Sequence, residues 1–193
     1  MARKIKKEGN YKKCWDYIKE SKYFFLAVFL ILLIAVLIGF FYPRFFVELI
    51  MKLISDLADK TKDMGFFQLF AFILENNITT AFLGLISGMI FGILPFFLVI
   101  FNGYVLGFVA GLSVNAVGYS VLLKLLPHGI FEIPALIISL GLGLKMARFI
   151  FAKNKKKTFI YDLENSLRVF LFVILPLLVI AAFIETGLII LFG

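Results

Sequence analysis

The residues of this chain best suited to chemistry lie inside its apolar segments. His128 and Glu132 are four apart, so on a helix they share one face. Glu185 is a second isolated acid in an apolar run, and Asn76, Asn77 and Asn102 add amide donors and acceptors. Imidazole titrates near neutral pH and carboxylates suit cations, so the set has the makings of a proton or cation site. Three readings compete. One is a hydrogen-bonded clamp that fixes helix register, with His128 donating to Glu132 or Glu185. Another is a channel or transporter pathway for a cation, a proton or a small solute. The last is a metal-dependent membrane enzyme with its ion at His128, Glu132 and Glu185. It is the thinnest, because the chain has one histidine and His-x-x-x-Glu lacks the second histidine of the zinc-protease motif. No Ser–Lys or Ser–His pair is evident at helical spacing, and Cys14 lies outside the apolar segments. No cofactor and no catalytic residue are therefore expected. Asn102 either bonds across a close helix crossing or lines a wet path between neighbouring spans.

The elements that hold these groups are membrane helices. Of the 193 residues, 62% are hydrophobic and 25 are Phe, with mean hydropathy +1.03. A soluble domain of that size has too little polar surface to cover such a composition. A span needs about twenty apolar residues. Span one fits residues 23–42, between Lys22 and Arg44, and Pro43 ends it. The uncharged stretch after Asn77 is too long for one helix and contains Gly92-Ile93-Leu94-Pro95. It divides into spans over 77–91 and 95–113. Span four covers 127–151, with Pro127 in its first turn. Span five covers 169–191, kinked at Pro176. Amphipathic or short apolar segments over 45–58, 66–74 and 158–168 read as helices in the membrane interface. For the first two the alternative is a soluble helical hairpin. In the third, Glu164 and Arg168 have the spacing of an ion pair. The expected class is all-α: a basic segment over 1–22, then one polytopic transmembrane domain over 23–193.

Charge sets the sidedness. Lys and Arg number 20 against 12 Asp and Glu, for a formal charge of +8. The cations flank the spans, so lipid headgroups and topology explain them and nucleic acid is not an expected partner. Lys4, Lys12, Lys19 and Lys22 precede span one, while Lys145, Arg148 and Lys153 to Lys157 surround the link between spans four and five. Five spans put both groups on one side. The positive-inside rule makes that side cytoplasmic, with the C-terminus outside the cell membrane.

Glycine recurs every fourth residue in two spans: Gly84, Gly88 and Gly92, then Gly103, Gly107 and Gly111. Such stripes let helix backbones approach closely in lipid. They predict a packed pair of spans two and three, or else a homodimer seam. These glycines carry no Walker lysine and form no phosphate loop.

Several strings occur together: Glu75-Asn76-Asn77, Asn102-Gly103, Pro127-His128-Gly129-Ile130-Phe131-Glu132 and Ala182-Phe183-Ile184-Glu185. Over residues 75–187 this combination resembles the stage II sporulation protein M (SpoIIM) family and its archaeal relatives of unassigned function. The resemblance implies a non-catalytic membrane component that organises or couples an envelope assembly. Its expected partners are the bilayer, further copies of the chain and a membrane or envelope protein. The sporulation role itself is not carried over.

Overall fold

The computed structural model describes residues 9–90 and 92–192, without the side chains of residues 123–128 and 192. Helix α1 covers Asn10–Glu20, α2 Lys22–Phe41, α3 Val47–Thr61, α4 Phe66–Ile86 and α5 Ile93–Val117. Then come α6 Val121–Met146, α7 Lys155–Val169 and α8 Leu175–Phe192. Short 3-10 turns carry α4 on to Met89 and α6 on to Phe151. Five helical runs among the described residues are long and apolar enough to cross a membrane: Lys22–Phe41, Phe66–Met89, Ile93–Val117, Gly129–Phe151 and Lys155–Leu191. The fold is that of an all-α polytopic membrane protein.

Three boundaries differ from the sequence expectation. The short helix over 66–74 and the span opening at 77 are one helix, α4. Glu75, Asn76 and Asn77 are polar, but none is a glycine or proline that would stop the hydrogen-bond ladder. The fourth span begins at Val121, so Pro127 lies inside α6 and not in its first turn. Membrane helices tolerate interior proline because neighbours re-satisfy the freed backbone. The segment over 158–168 is not separate either. It runs through α7 and a π turn, Phe170–Ile174, straight into α8. Proline at 176 has no N–H and crowds the carbonyl four residues earlier, and the wider turn gives it room. The expected break between spans two and three is present: Gly92 adopts φ +70° and α5 opens with Pro95 in its first turn.

The glycine stripes do not face each other. Gly103, Gly107 and Gly111 of α5 lie against Leu32, Ala35, Val36 and Phe40 of α2. A Cβ on Gly107 would overlap the Val36 carbonyl. Contacts climb both helices together, so α2 and α5 are parallel neighbours. Gly84, Gly88 and Gly92 lie instead against Leu140, Gly143 and Ala147 of α6. A Cβ on Gly88 would overlap the Gly143 carbonyl, and one on Gly143 would overlap that of Gly84. The expected pairing of spans two and three is thus replaced by two pairings, α2 with α5 and α4 with α6. The partner helices carry small residues of their own: Gly39 under α5, Gly143 under α4 and Gly141 under Phe25.

Helix α3 follows a tight link in which Phe46 adopts φ 55°. The Tyr104 hydroxyl holds this link, accepting from Phe45 N at 2.9 Å. It also donates toward Phe45 O at 3.1 Å or Tyr42 O at 3.3 Å. Ile50 packs on Tyr104 and Phe108, while Leu49, Leu53 and Leu57 stay exposed.

Gly88→Leu and Gly107→Leu are expected to force these backbones apart and destabilise the bundle by about 3 kcal/mol or more. Gly187→Ala meets nothing within 4 Å. It is expected to be neutral or to gain up to about 1 kcal/mol of helix propensity. Thermal unfolding in detergent compares them, and equal stability of all three variants would contradict the packing scheme.

Candidate functional site

Helices α4, α5, α6 and α8 enclose a cavity of about 80 Å³. Asn76, Asn77 and Thr80 come from α4, Asn102 from α5 and Glu132 from α6, with Leu136 and Leu178 as apolar wall. Four of the six polar residues predicted for a site, Asn76, Asn77, Asn102 and Glu132, line this space. Because α4 starts at Phe66 and α6 at Val121, Asn76, Asn77 and Glu132 stand well inside their helices. Asn76 and Asn77 thus fall near the middle of the run Phe66–Met89 and Asn102 near the middle of Ile93–Val117, whereas Glu132 lies one turn into Gly129–Phe151. Polar groups near the middle of a span carry the largest cost and face protein or water.

Among the described residues, the polar side chains lining the cavity do not hydrogen-bond to one another across helices. Asn102 Nδ2 donates to Leu98 O at 2.8 Å within its own helix. Asn102 therefore lines the space beside α4 and does not bond across a crossing. Asn77 Nδ2 is buried and has no hydrogen-bond partner among the described residues. Glu185 is not on the cavity wall but lies within electrostatic range of Glu132. The side chain of His128 lies outside the described residues. Among the described residues no three His, Cys, Asp or Glu side chains gather as a metal site. The cross-helix bond nearby is Ser139 Oγ donating to Ala81 O, which ties α6 to α4 beside the small-residue contact.

A second polar set, missed by sequence reasoning, joins α1 to α6 and α7. Lys145 is fully buried. Its Nζ donates to Ser21 Oγ at 2.9 Å, pairs with Glu20 Oε1 at 3.2 Å and sits 3.6 Å from the centre of the Tyr17 ring. Arg148 forks onto buried Asp162 through Nε and Nη2, both at 2.8 Å, and Nη2 also reaches Glu20 at 3.2 Å. The Tyr17 hydroxyl donates to Asp162 Oδ1 at 3.0 Å, and that of Tyr161 to Glu20 Oε2 at 3.1 Å. Burial works against the Glu20 carboxylate, yet Lys145, Tyr161 and Arg148 together hold its pKa below the ordinary value. Burial pushes the Tyr17 phenol far above its usual range, against an opposing bond from Ser166, so it remains a neutral donor. Burial likewise raises the Cys14 thiol, with Arg168 opposing.

By sequence, Lys145 and Arg148 group with the cations that set topology at the link between spans four and five. Their three-residue spacing on one helix face was the available signal, hidden by the lysine run that follows. The expected Glu164–Arg168 pair is also replaced: Arg168 donates to Asn165 Oδ1 at 2.6 Å. The charges of this second set are paired with one another.

Comparison with known proteins adds the family. The model of the stage II sporulation protein M family, SpoIIM, matches residues 23–188. The chain belongs to the SpoIIM family. An uncharacterized protein of Methanocaldococcus jannaschii is 37% identical over 123 residues, covering 60% of this chain and 68% of that one. No solved structure matches the chain. The SpoIIM match begins at the first span, well before the residues 75–187 that carried the resemblance. Helix α1 precedes it, so the clamp of Tyr17, Glu20, Lys145, Arg148 and Asp162 joins a segment outside the match to the SpoIIM core.

Arg148→Ala would leave the Asp162 carboxylate buried without its partner and is expected to cost about 3–5 kcal/mol. Glu20 acts by linkage. With its folded pKa held below the ordinary 4.5, its stabilisation is complete at neutral pH and disappears as pH falls through the depressed value. Melting temperature followed from about pH 7 down to about pH 3 should fall less steeply in Glu20→Gln than in the wild type. Parallel acid limbs would contradict this role for Glu20.

Proposed function

We propose that this SpoIIM-family chain is a non-catalytic membrane component that organises or couples a membrane or envelope assembly, working as a homo-oligomer. The observation that carries the reading is α3. Ile50 anchors the helix on Tyr104 and Phe108, yet Leu49, Met51, Leu53 and Leu57 are exposed beside Lys52, Asp56 and Lys60. An amphipathic helix fixed to a glycine-locked bundle offers a rigid apolar face where a partner helix can lie. Helix α1 offers Tyr11 and Trp15 at the other end, with Lys19 over the Trp15 ring. The relative's lack of an assigned role leaves sporulation itself out of the reading.

The same reading sets α1 and α7 in the cytoplasm and the end of α8 outside. The basic residues of α1, the start of α2 and the α6–α7 link support that orientation through the positive-inside rule.

Extraction from native membranes under mild detergent is expected to yield a complex heavier than any homo-oligomer, and Leu53→Glu with Leu57→Glu should shed the partner. A chain that emerges alone as one stable oligomer would count against the organising role. In intact cells, labels at residues 153–157 and at the N-terminus should be shielded together from a membrane-impermeant reagent. Opposite accessibility of the two would overturn the orientation.

A further inference from the structure

We propose that the mid-bundle cavity binds one alkali-metal cation, with Glu132 as its counter-charge and water completing its shell. The cavity wall presents the Glu132 carboxylate, the Thr80 hydroxyl and the amides of Asn76, Asn77 and Asn102. Oxygen donors of this kind suit hard cations. Asn102 commits its amide nitrogen to Leu98 O, which leaves its amide oxygen for the cavity.

Two further observations point to a ligand. No described side chain gives Glu132 a hydrogen bond or a positive charge. A carboxylate among packed apolar helices needs a compensating charge to stay ionised. A monovalent ion supplies that one charge, and Glu185 stands behind the wall and not on it. The second observation is the buried, unpartnered Asn77 Nδ2. An amide donor needs an acceptor, and a water oxygen in the shell of the cation provides it. A volume of about 80 Å³ holds an ion with one or two waters, each taking roughly 30 Å³. The other titratable groups near Glu132 are His128, one turn before it on α6, and Glu185 on α8. The inference is independent of the organising role and stands or falls without it.

The test uses the purified full-length chain in detergent, with NaCl or KCl compared against choline chloride at equal ionic strength. Thermal unfolding and retention of radioactive sodium are the readouts. The wild type should show a saturable, alkali-specific rise in melting temperature and about one ion bound per chain. Glu132→Gln should abolish both effects. Thr80→Val, which keeps the volume, should weaken apparent affinity by about tenfold. Absence of an alkali-specific shift in the wild type would overturn the proposal, and this result needs no variant to fold. A shift retained in Glu132→Gln would overturn it as well, by moving the ion elsewhere.

Discussion

The bundle depends on two places where helix backbones meet without side chains between them. Lipid is as apolar as leucine, so burying leucine gives membrane helices little reason to associate. Close backbone approach supplies dispersion contacts that lipid cannot match. Gly107 against Val36 does this for α2 and α5, and Gly88 against Gly143 does it for α4 and α6. Each pair is parallel, so the helices between its members in sequence must cross back. The five-span topology follows from these contacts as much as from hydropathy. Helices α4, α5 and α6, with α8, then leave between them the space in which Asn77, Asn102 and Glu132 meet.

The two polar sets show opposite solutions to one problem. At the α1 end, Lys145, Arg148, Glu20 and Asp162 alternate in sign, and hydroxyls from Tyr17, Ser21 and Tyr161 take up remaining hydrogen bonds. Buried ion pairs add little stability when complete but cost several kcal/mol when broken. That asymmetry makes the set a good fixer of geometry. In the mid-bundle cavity the accounts are left open, with an unpartnered amide and a carboxylate without a described counter-charge. Satisfied networks hold a fold in place, whereas incomplete ones are where small ligands fit.

Sequence legibility followed the range of each interaction. Span number, the break at Gly92 and the stripe glycines depend on local composition, and all were readable. Glycine partners were not, because Gly84 meets Gly143 through a choice of neighbours that no single helix encodes. The α4 boundary was misplaced because Glu75-Asn76-Asn77 looks like a terminus to a rule that equates polar with outside. In fact Asn76 and Asn77 are polar toward an internal cavity. The Lys145 set was overlooked for a related reason. A lysine at the end of a span is ordinarily solvated, and nothing local reveals that Glu20 and Tyr17 cover it. The sequence pattern groups Asn76, Asn77, Asn102 and Glu132 with His128 and Glu185, but which of them share one cavity depends on how the helices pack.

The uninterrupted run from Lys155 to Leu191 has a mechanical corollary. Its 37 residues make a rod of about 55 Å at roughly 1.5 Å per residue, well beyond a hydrocarbon thickness of about 30 Å. The surplus projects at the α7 end, where Asp162 is gripped by Arg148. The rod's one change of helical pitch among the described residues is the π turn at Phe170–Ile174. One continuous helical run thus ties the apolar stretch of α8 to the ion pairs that hold α1.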